Sequence, residues 1–125
     1  KGVEDHRATL VLIVAGYTSE MGEFLTANPG LASRLPTTIT FEDYSASELL
    51  QILQRIAADN DYSIGADPRL IEAITAGMAE PAFGNAREMR NLFESAVRRQ
   101  AWRLREISDV SVDQMRILTV DDVLP

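Results

Sequence analysis

The amino-acid sequence predicts an α/β remnant over residues 1–43, followed by a mostly α-helical bundle over residues 44–125. Three observations carry this. The run LVLIVAG at 10–16 is apolar without alternation, as in a strand buried on both faces of a helix-covered parallel sheet. TTITF at 37–41 is β-branched enough to be the next strand. Beyond FEDY the pattern changes to amphipathic stripes of helical period, separated by cap signals.

Taken in order, KGVEDHR at 1–7 reads as the tail of an element that begins upstream. The strand expected at 9–17 leads to a short helix over 19–28, which Pro29 and Gly30 of the NPG turn should end. Strand, helix and strand do not make a sheet, because a parallel sheet in water needs neighbours on its edges and helices on its faces. The first 43 residues are therefore expected to be the last part of a larger α/β domain.

In the second part, SASE at 45–48 forms a capping box, Ser45 accepting the Glu48 amide and Glu48 reaching back. Leu49, Leu50, Ile52, Leu53 and Ile56 supply the first apolar stripe. Asp67 as N-cap and Pro68 at the first helical position start a second helix, with Leu70, Ile71, Ile74 and Met78 inward. A third begins at GNARE, with Asn85 expected as its cap and Glu88 at its third position. Its stripe is Met89, Leu92, Phe93, Ala96, Val97 and Leu104. A small capped turn from Thr119 to Asp122 closes the chain.

Composition narrows the chemistry. With 46% apolar and 25% charged residues the chain can form a core. No cysteine is present, which removes disulfides and thiolate metal sites and suits a reducing cytosol. The longest apolar run is too short to span a bilayer, so membrane insertion is not expected. A net charge of −7 argues against a general nucleic-acid binder. No metal-spaced cluster occurs, and no nucleophile set can be built around the single His6, a surface residue by expectation. Residues 86–106 nevertheless hold six arginines against three glutamates. These read either as a solvated face with Glu94–Arg98 pairing, or as a surface for an acidic partner.

Arg87 is the oddity. It falls in the first turn of the longest predicted helix, where bare N–H groups and the helix dipole favour an anion. A phosphate there would turn a mild cost into a gain, since helix N-terminus and guanidinium both attract it. From the residues alone, the other reading is a surface arginine paired with Glu88 or Asp67, against which the cost at the helix start stands. Arg34, after the NPG turn and before a strand, is likewise readable as a surface arginine.

The order of elements resembles the C-terminal part of an AAA+ ATPase module. IVAGYTSEMGEFLTANPGLASRLPTTITFEDYS and FGNAREMRNLFESAVRRQAWRL are similar to the CbbX/SpoVK branch, which includes red-type rubisco activases and the EccA ATPases of mycobacterial type VII secretion. The resemblance is strongest to EccA and covers nearly the whole chain. It implies the last strands and helix of a P-loop core, then an AAA+ lid. It makes Arg34 an arginine finger acting in trans, and Arg87 the sensor 2 residue at the γ-phosphate. Arg90 is a weaker candidate one turn later. At the sensor 1 position, usually Asn or Thr, stands Tyr17, with Thr18 next to it.

The family's P-loop pattern G-x-x-x-x-G-K-[ST] and its paired Mg²⁺-binding acids have no match, and the only lysine is Lys1. ATP and Mg²⁺ are accordingly expected in an intact parent and not on this fragment, which alone should be inactive. The parent is implied to be a cytoplasmic ring, a hexamer, that remodels or threads a protein substrate or secretion component. The alternatives are a rubisco activase relative and a non-catalytic helical module that binds an acidic partner through the arginines of 98–105.

Overall fold

The computed structural model describes residues 11–125 and divides into two compact units, with the boundary between Glu42 and Asp43. His6 and the first two residues of the 9–17 run lie outside the described residues.

The first unit contains two short helices, α1 (Thr18–Ala27) and α2 (Pro29–Arg34), neither with a buried residue. Asn28 ends α1 and its carbonyl then accepts the amides of Leu31 and Ala32. The NPG signal ends α1 as expected, but Pro29 at once begins another helix. It takes the first position of α2, where its missing N–H costs nothing. The strands expected at 9–17 and 37–41 form no ladder among the described residues. Val11, Ile13, Ile39 and Phe41 are exposed, Phe41 by 91%, instead of buried on two faces. The reason is elementary: an extended backbone needs a neighbour for its N–H and C=O groups, and among the described residues no strand pairs with either run.

The second unit is a helical bundle. Helix α3 (Ala46–Asp59) begins at the Ser45–Glu48 capping box, with both reciprocal hydrogen bonds formed. It ends in a Schellman motif: the Tyr62 amide donates to the Ala57 carbonyl at 2.8 Å and the Asp61 amide to Ala58 at 3.1 Å. Asp61 takes the left-handed position with φ 65°, where glycine is the usual choice. Helix α4 (Pro68–Met78) is capped by Asp67, whose carboxylate accepts the Arg69 amide at 2.8 Å. Helix α5 (Ala86–Leu104) is the longest, at 19 residues. Next come α6 (Val112–Arg116) and α7 (Val120–Val123), started by capping boxes at Ser111–Gln114 and Thr119–Asp122. Among the described residues no helix is long and apolar enough to cross a membrane.

The stripes read from the sequence become the core. Leu49 and Leu53 from α3, Leu70 and Ile74 from α4, and Met89, Phe93 and Ala96 from α5 are buried together with Leu118 and Val123. Each such leucine contributes roughly 1.5–3 kcal/mol relative to exposure. Ile52, Ile56, Ile71, Met78, Leu92 and Val97 pack at the margin, half-buried.

One feature had no sequence signal: strands β1 (Ser63–Ile64) and β2 (Ile117–Leu118) pair in parallel, placing Ile64 beside Leu118. Their carbonyls are completed by glutamine amides. Gln54 donates to Ile64 at 3.2 Å, and buried Gln100 donates to Ile117 and, in α6, to Met115, each at 2.8 Å.

The left-handed Asp61 yields a stability prediction. Asp61→Gly should raise unfolding free energy by about 0.5–1 kcal/mol, because glycine occupies this region without a Cβ clash. Urea denaturation measures it, and a lower midpoint for the variant would contradict the cap geometry.

Candidate functional site

The predicted site residues fall into two groups. Tyr17 and Arg34 belong to the first unit, Arg87 and Arg90 to the second. Tyr17 is exposed and precedes α1, where its carbonyl accepts the Met21 amide at 2.8 Å. Arg34 is the last residue of α2, and its Nη1 donates to the Gly30 carbonyl at 2.7 Å. The guanidinium is thus drawn back along its own helix.

Arg87 is the second residue of α5 and is exposed. Neither partner suggested by the sequence holds it. Asp67 pairs with Arg69 at 3.0 Å, and no hydrogen bond or ion pair joins Arg87 to Glu88. Among the described residues, no side-chain partner of Arg87 is present. Arg90, three residues on, shares its face and is also exposed. Both lie away from the inward stripe of Met89, Phe93, Ala96, Gln100 and Leu104.

The start of α5 differs from expectation in an informative way. Asn85 does not cap the helix. Its backbone sits at φ 53° and ψ −124°, and its side chain makes no bond to the helix amides. This conformation is the first corner of a type II′ turn, normally glycine. The Arg87 amide closes that turn on the Gly84 carbonyl at 3.1 Å. With the corner at positive φ, the Asn85 carboxamide cannot fold over its own helix. It donates instead to the Asp43 carboxylate at 2.8 Å, 42 residues earlier in the chain. Such a backbone costs on the order of 1–3 kcal/mol for a residue with a Cβ. The outcome is a helix N-terminus without a side-chain cap, whose first turn carries both Arg87 and Glu88.

The other arginines of this helix have different work. Arg99 Nη1 donates to the carbonyls of Asp122 and Val123 at 2.9 and 3.1 Å. Arg103 holds the buried Asp122 carboxylate with two bonds of 3.0 and 2.8 Å. Arg105 stacks on Trp102 at 3.7 Å. Arg98 hydrogen-bonds Ser95 and does not form the expected pair with Glu94. Two of the four arginines offered for an acidic partner are therefore engaged by the chain's own C-terminal segment.

Burial alone would push the Asp122 carboxyl upward. The Arg103 guanidinium and the Thr119 amide and hydroxyl together outweigh it and hold Asp122 below its ordinary 3.8. Glu48 is lowered by the Ser45 amide and hydroxyl, and Asp67 by the Arg69 side chain and amide. Among the described residues no group of three His, Cys, Asp or Glu could hold a metal ion.

Sequence reasoning missed Asp43 and Gln100. The glycine–asparagine pair at 84–85 was a turn signal that could have found the tight corner, though nothing local pointed to Asp43.

The AAA lid domain family matches residues 45–125, and the chain belongs to that family. Stage V sporulation protein K of Bacillus subtilis is 36% identical over 109 residues, 83% of this chain and 34% of the relative. A CfxQ homolog of Galdieria sulphuraria is 36% identical over 121 residues, 95% of this chain and 40% of the relative. The chloroplastic ribulose bisphosphate carboxylase/oxygenase activase of Cyanidioschyzon merolae is 35% identical over 126 residues, 98% of this chain and 43% of the relative. The chain thus spans roughly a third to two fifths of the length of these relatives.

Asp122 sets a pH prediction. Its folded pKa lies below the unfolded one, so its stabilisation is complete above the unfolded value and is lost as pH falls through the folded value. Stability should be flat above about pH 5 and decline below about pH 4. Asp122→Asn should cost roughly 2–3 kcal/mol at neutral pH and make the acid decline shallower. Urea titrations across pH provide the check, and an unchanged acid slope would contradict it.

Proposed function

We propose that this chain is the C-terminal part of an AAA+ ATPase: the lid, preceded by the last piece of the nucleotide-binding α/β subdomain. The observation that carries the reading is Arg87, exposed and without a side-chain partner at the uncapped start of α5, inside a segment that matches the AAA lid family. A guanidinium is planar and permanently charged, and it stabilises the charge of a transferring phosphoryl group. In this reading the Arg87 guanidinium meets the γ-phosphate from the lid side, with the positive end of the α5 dipole behind it. The position of the lid then follows the state of the nucleotide. Arg90 adds positive potential one turn further on. ATP supplies the phosphoryl group, and its Mg²⁺ is held by residues other than those described here.

Arg34 is assigned as the arginine finger reaching a neighbouring subunit's nucleotide, in a ring that is a hexamer. Tyr17 takes the sensor 1 position. The exposed apolar residues at 11–14 and 37–41 support the sheet reading, since they are what an interior strand presents before its neighbours are added. The work performed is remodelling or translocation of a protein. A type VII secretion ATPase of the EccA kind is supported by the stretch from Tyr17 to Ser45. A rubisco activase is favoured by similarity to the Cyanidioschyzon merolae protein along 98% of this chain. Stimulation of the intact ATPase by inhibited red-type rubisco, or by a type VII secreted protein, decides between them.

Two substitutions in the intact protein test the site assignments. Arg34→Ala should lower ATP turnover by at least about 10³-fold while nucleotide affinity stays within about twofold. Normal turnover would remove the finger assignment. Arg87→Ala should weaken ATP binding by about tenfold or uncouple hydrolysis from remodelling. Unchanged affinity and rate would return Arg87 to an ordinary surface arginine.

A further inference from the structure

We propose that Asp43 and Asn85 form a latch that positions Arg87. This rests on the reading of Arg87 as the residue that meets the γ-phosphate, and it adds residues which that reading does not include.

Three observations converge on it. First, Asn85 is one of only three non-glycine residues with positive φ among those described; Asp61 follows α3 and Asp109 lies in the loop between α5 and α6. Asp61 serves a helix C-terminus; Asn85 opens a helix, where a residue with a Cβ at φ 53° and ψ −124° has no capping purpose. Glycine would take this corner without strain, so backbone preference does not explain an asparagine. Its side chain does: Nδ2 donates to Asp43 Oδ1 at 2.8 Å.

Second, the corner sets Arg87 directly. The Arg87 amide closes the turn on Gly84 and the Glu88 amide donates to the Asn85 carbonyl at 3.0 Å. The direction in which α5 leaves the turn, and therefore the base of the Arg87 side chain, follows from the conformation of Asn85.

Third, Asp43 is the first residue of the second unit, where the chain enters it, and lies two residues before the Ser45 cap of α3. The latch therefore ties the entering chain and the start of α3 to the start of α5. Phe83, packed against the core, holds the other side of the turn. Asp43 and Asn85 touch no nucleotide in this scheme; they are positioning residues acting through Arg87.

Nucleotide affinities of the intact ATPase test the latch, with AMP-PNP and ADP as probes and Arg87→Ala as reference. Asp43→Ala removes the acceptor. Asn85→Gly removes the donor while keeping the turn comfortable, so its result is not confounded by misfolding. Both should weaken AMP-PNP binding about three- to tenfold and leave ADP affinity within about twofold, since only the γ-phosphate contact is disturbed. Asp43→Asn keeps an acceptor oxygen and should behave as wild type. Asp43→Ala combined with Arg87→Ala should be no weaker than Arg87→Ala alone.

Wild-type AMP-PNP affinity in both latch variants, with Arg87→Ala impaired, overturns the latch and leaves the Arg87 reading standing. Equal loss for ADP and AMP-PNP, or a loss additive with Arg87→Ala, overturns it in favour of a purely structural bond. An Arg87→Ala protein that binds AMP-PNP normally removes the Arg87 reading and the latch together.

Discussion

The second unit depends on α5 keeping one face out of water along its whole length. Met89, Phe93, Ala96, Gln100 and Leu104 recur at intervals of three and four, so they form one stripe. Its first half meets α3, and its second half meets the C-terminal segment that carries β2 and α7. The polar member is as necessary as the apolar ones. The short β1–β2 pair brings carbonyl groups into the bundle that a fully apolar helix would leave without donors. Gln100 satisfies that of Ile117 in β2, and that of Met115 in α6, from within the stripe. Among the described residues no buried side-chain nitrogen or oxygen lacks a partner.

The same helix separates its arginines by purpose. Arg99 and Arg103 sit in its C-terminal half, where a cation suits the dipole, and clamp the Asp122–Val123 turn. Asp122 serves at once as the acid of the α7 capping box and as the partner of Arg103, so one buried carboxylate joins two elements. Arg87, at the opposite end, has the dipole against it. Asp67, one of the two partners the sequence offered it, is committed to capping α4 and to Arg69. Cations that suit the helix are used inside the unit. Arg87, which does not suit it, is left facing out, as is Arg90.

Much of the bundle was legible because its signals are local. Capping boxes at Ser45–Glu48 and Thr119–Asp122, and the Asp67–Pro68 start of α4, involve residues within three positions of each other. Stripe residues follow a fixed period, so Leu49, Leu53, Leu70, Ile74, Met89 and Phe93 could be named before any coordinates. The first unit was less legible, because a strand is defined by its neighbour. The apolar runs at 9–17 and 37–41 announce strand propensity but cannot supply the partner that would pair and cover them. Of the site, the positions of Arg34 and Arg87 at helix termini were visible, while their surroundings were not.

What the sequence by itself determined is the set of helices, most of their caps and which face of each is apolar. These depend on interactions a few residues apart. Only the tertiary structure decided the β1–β2 pairing, the burial of Gln100 and the clamp on Asp122, because two-residue strands and single polar side chains leave no periodic trace. It also decided the start of α5. A local reading makes Asn85 a cap, as its residue type favours. In the fold its backbone takes a positive-φ corner and its side chain bonds Asp43, 42 residues away, at 2.8 Å, so the first turn has no side-chain cap.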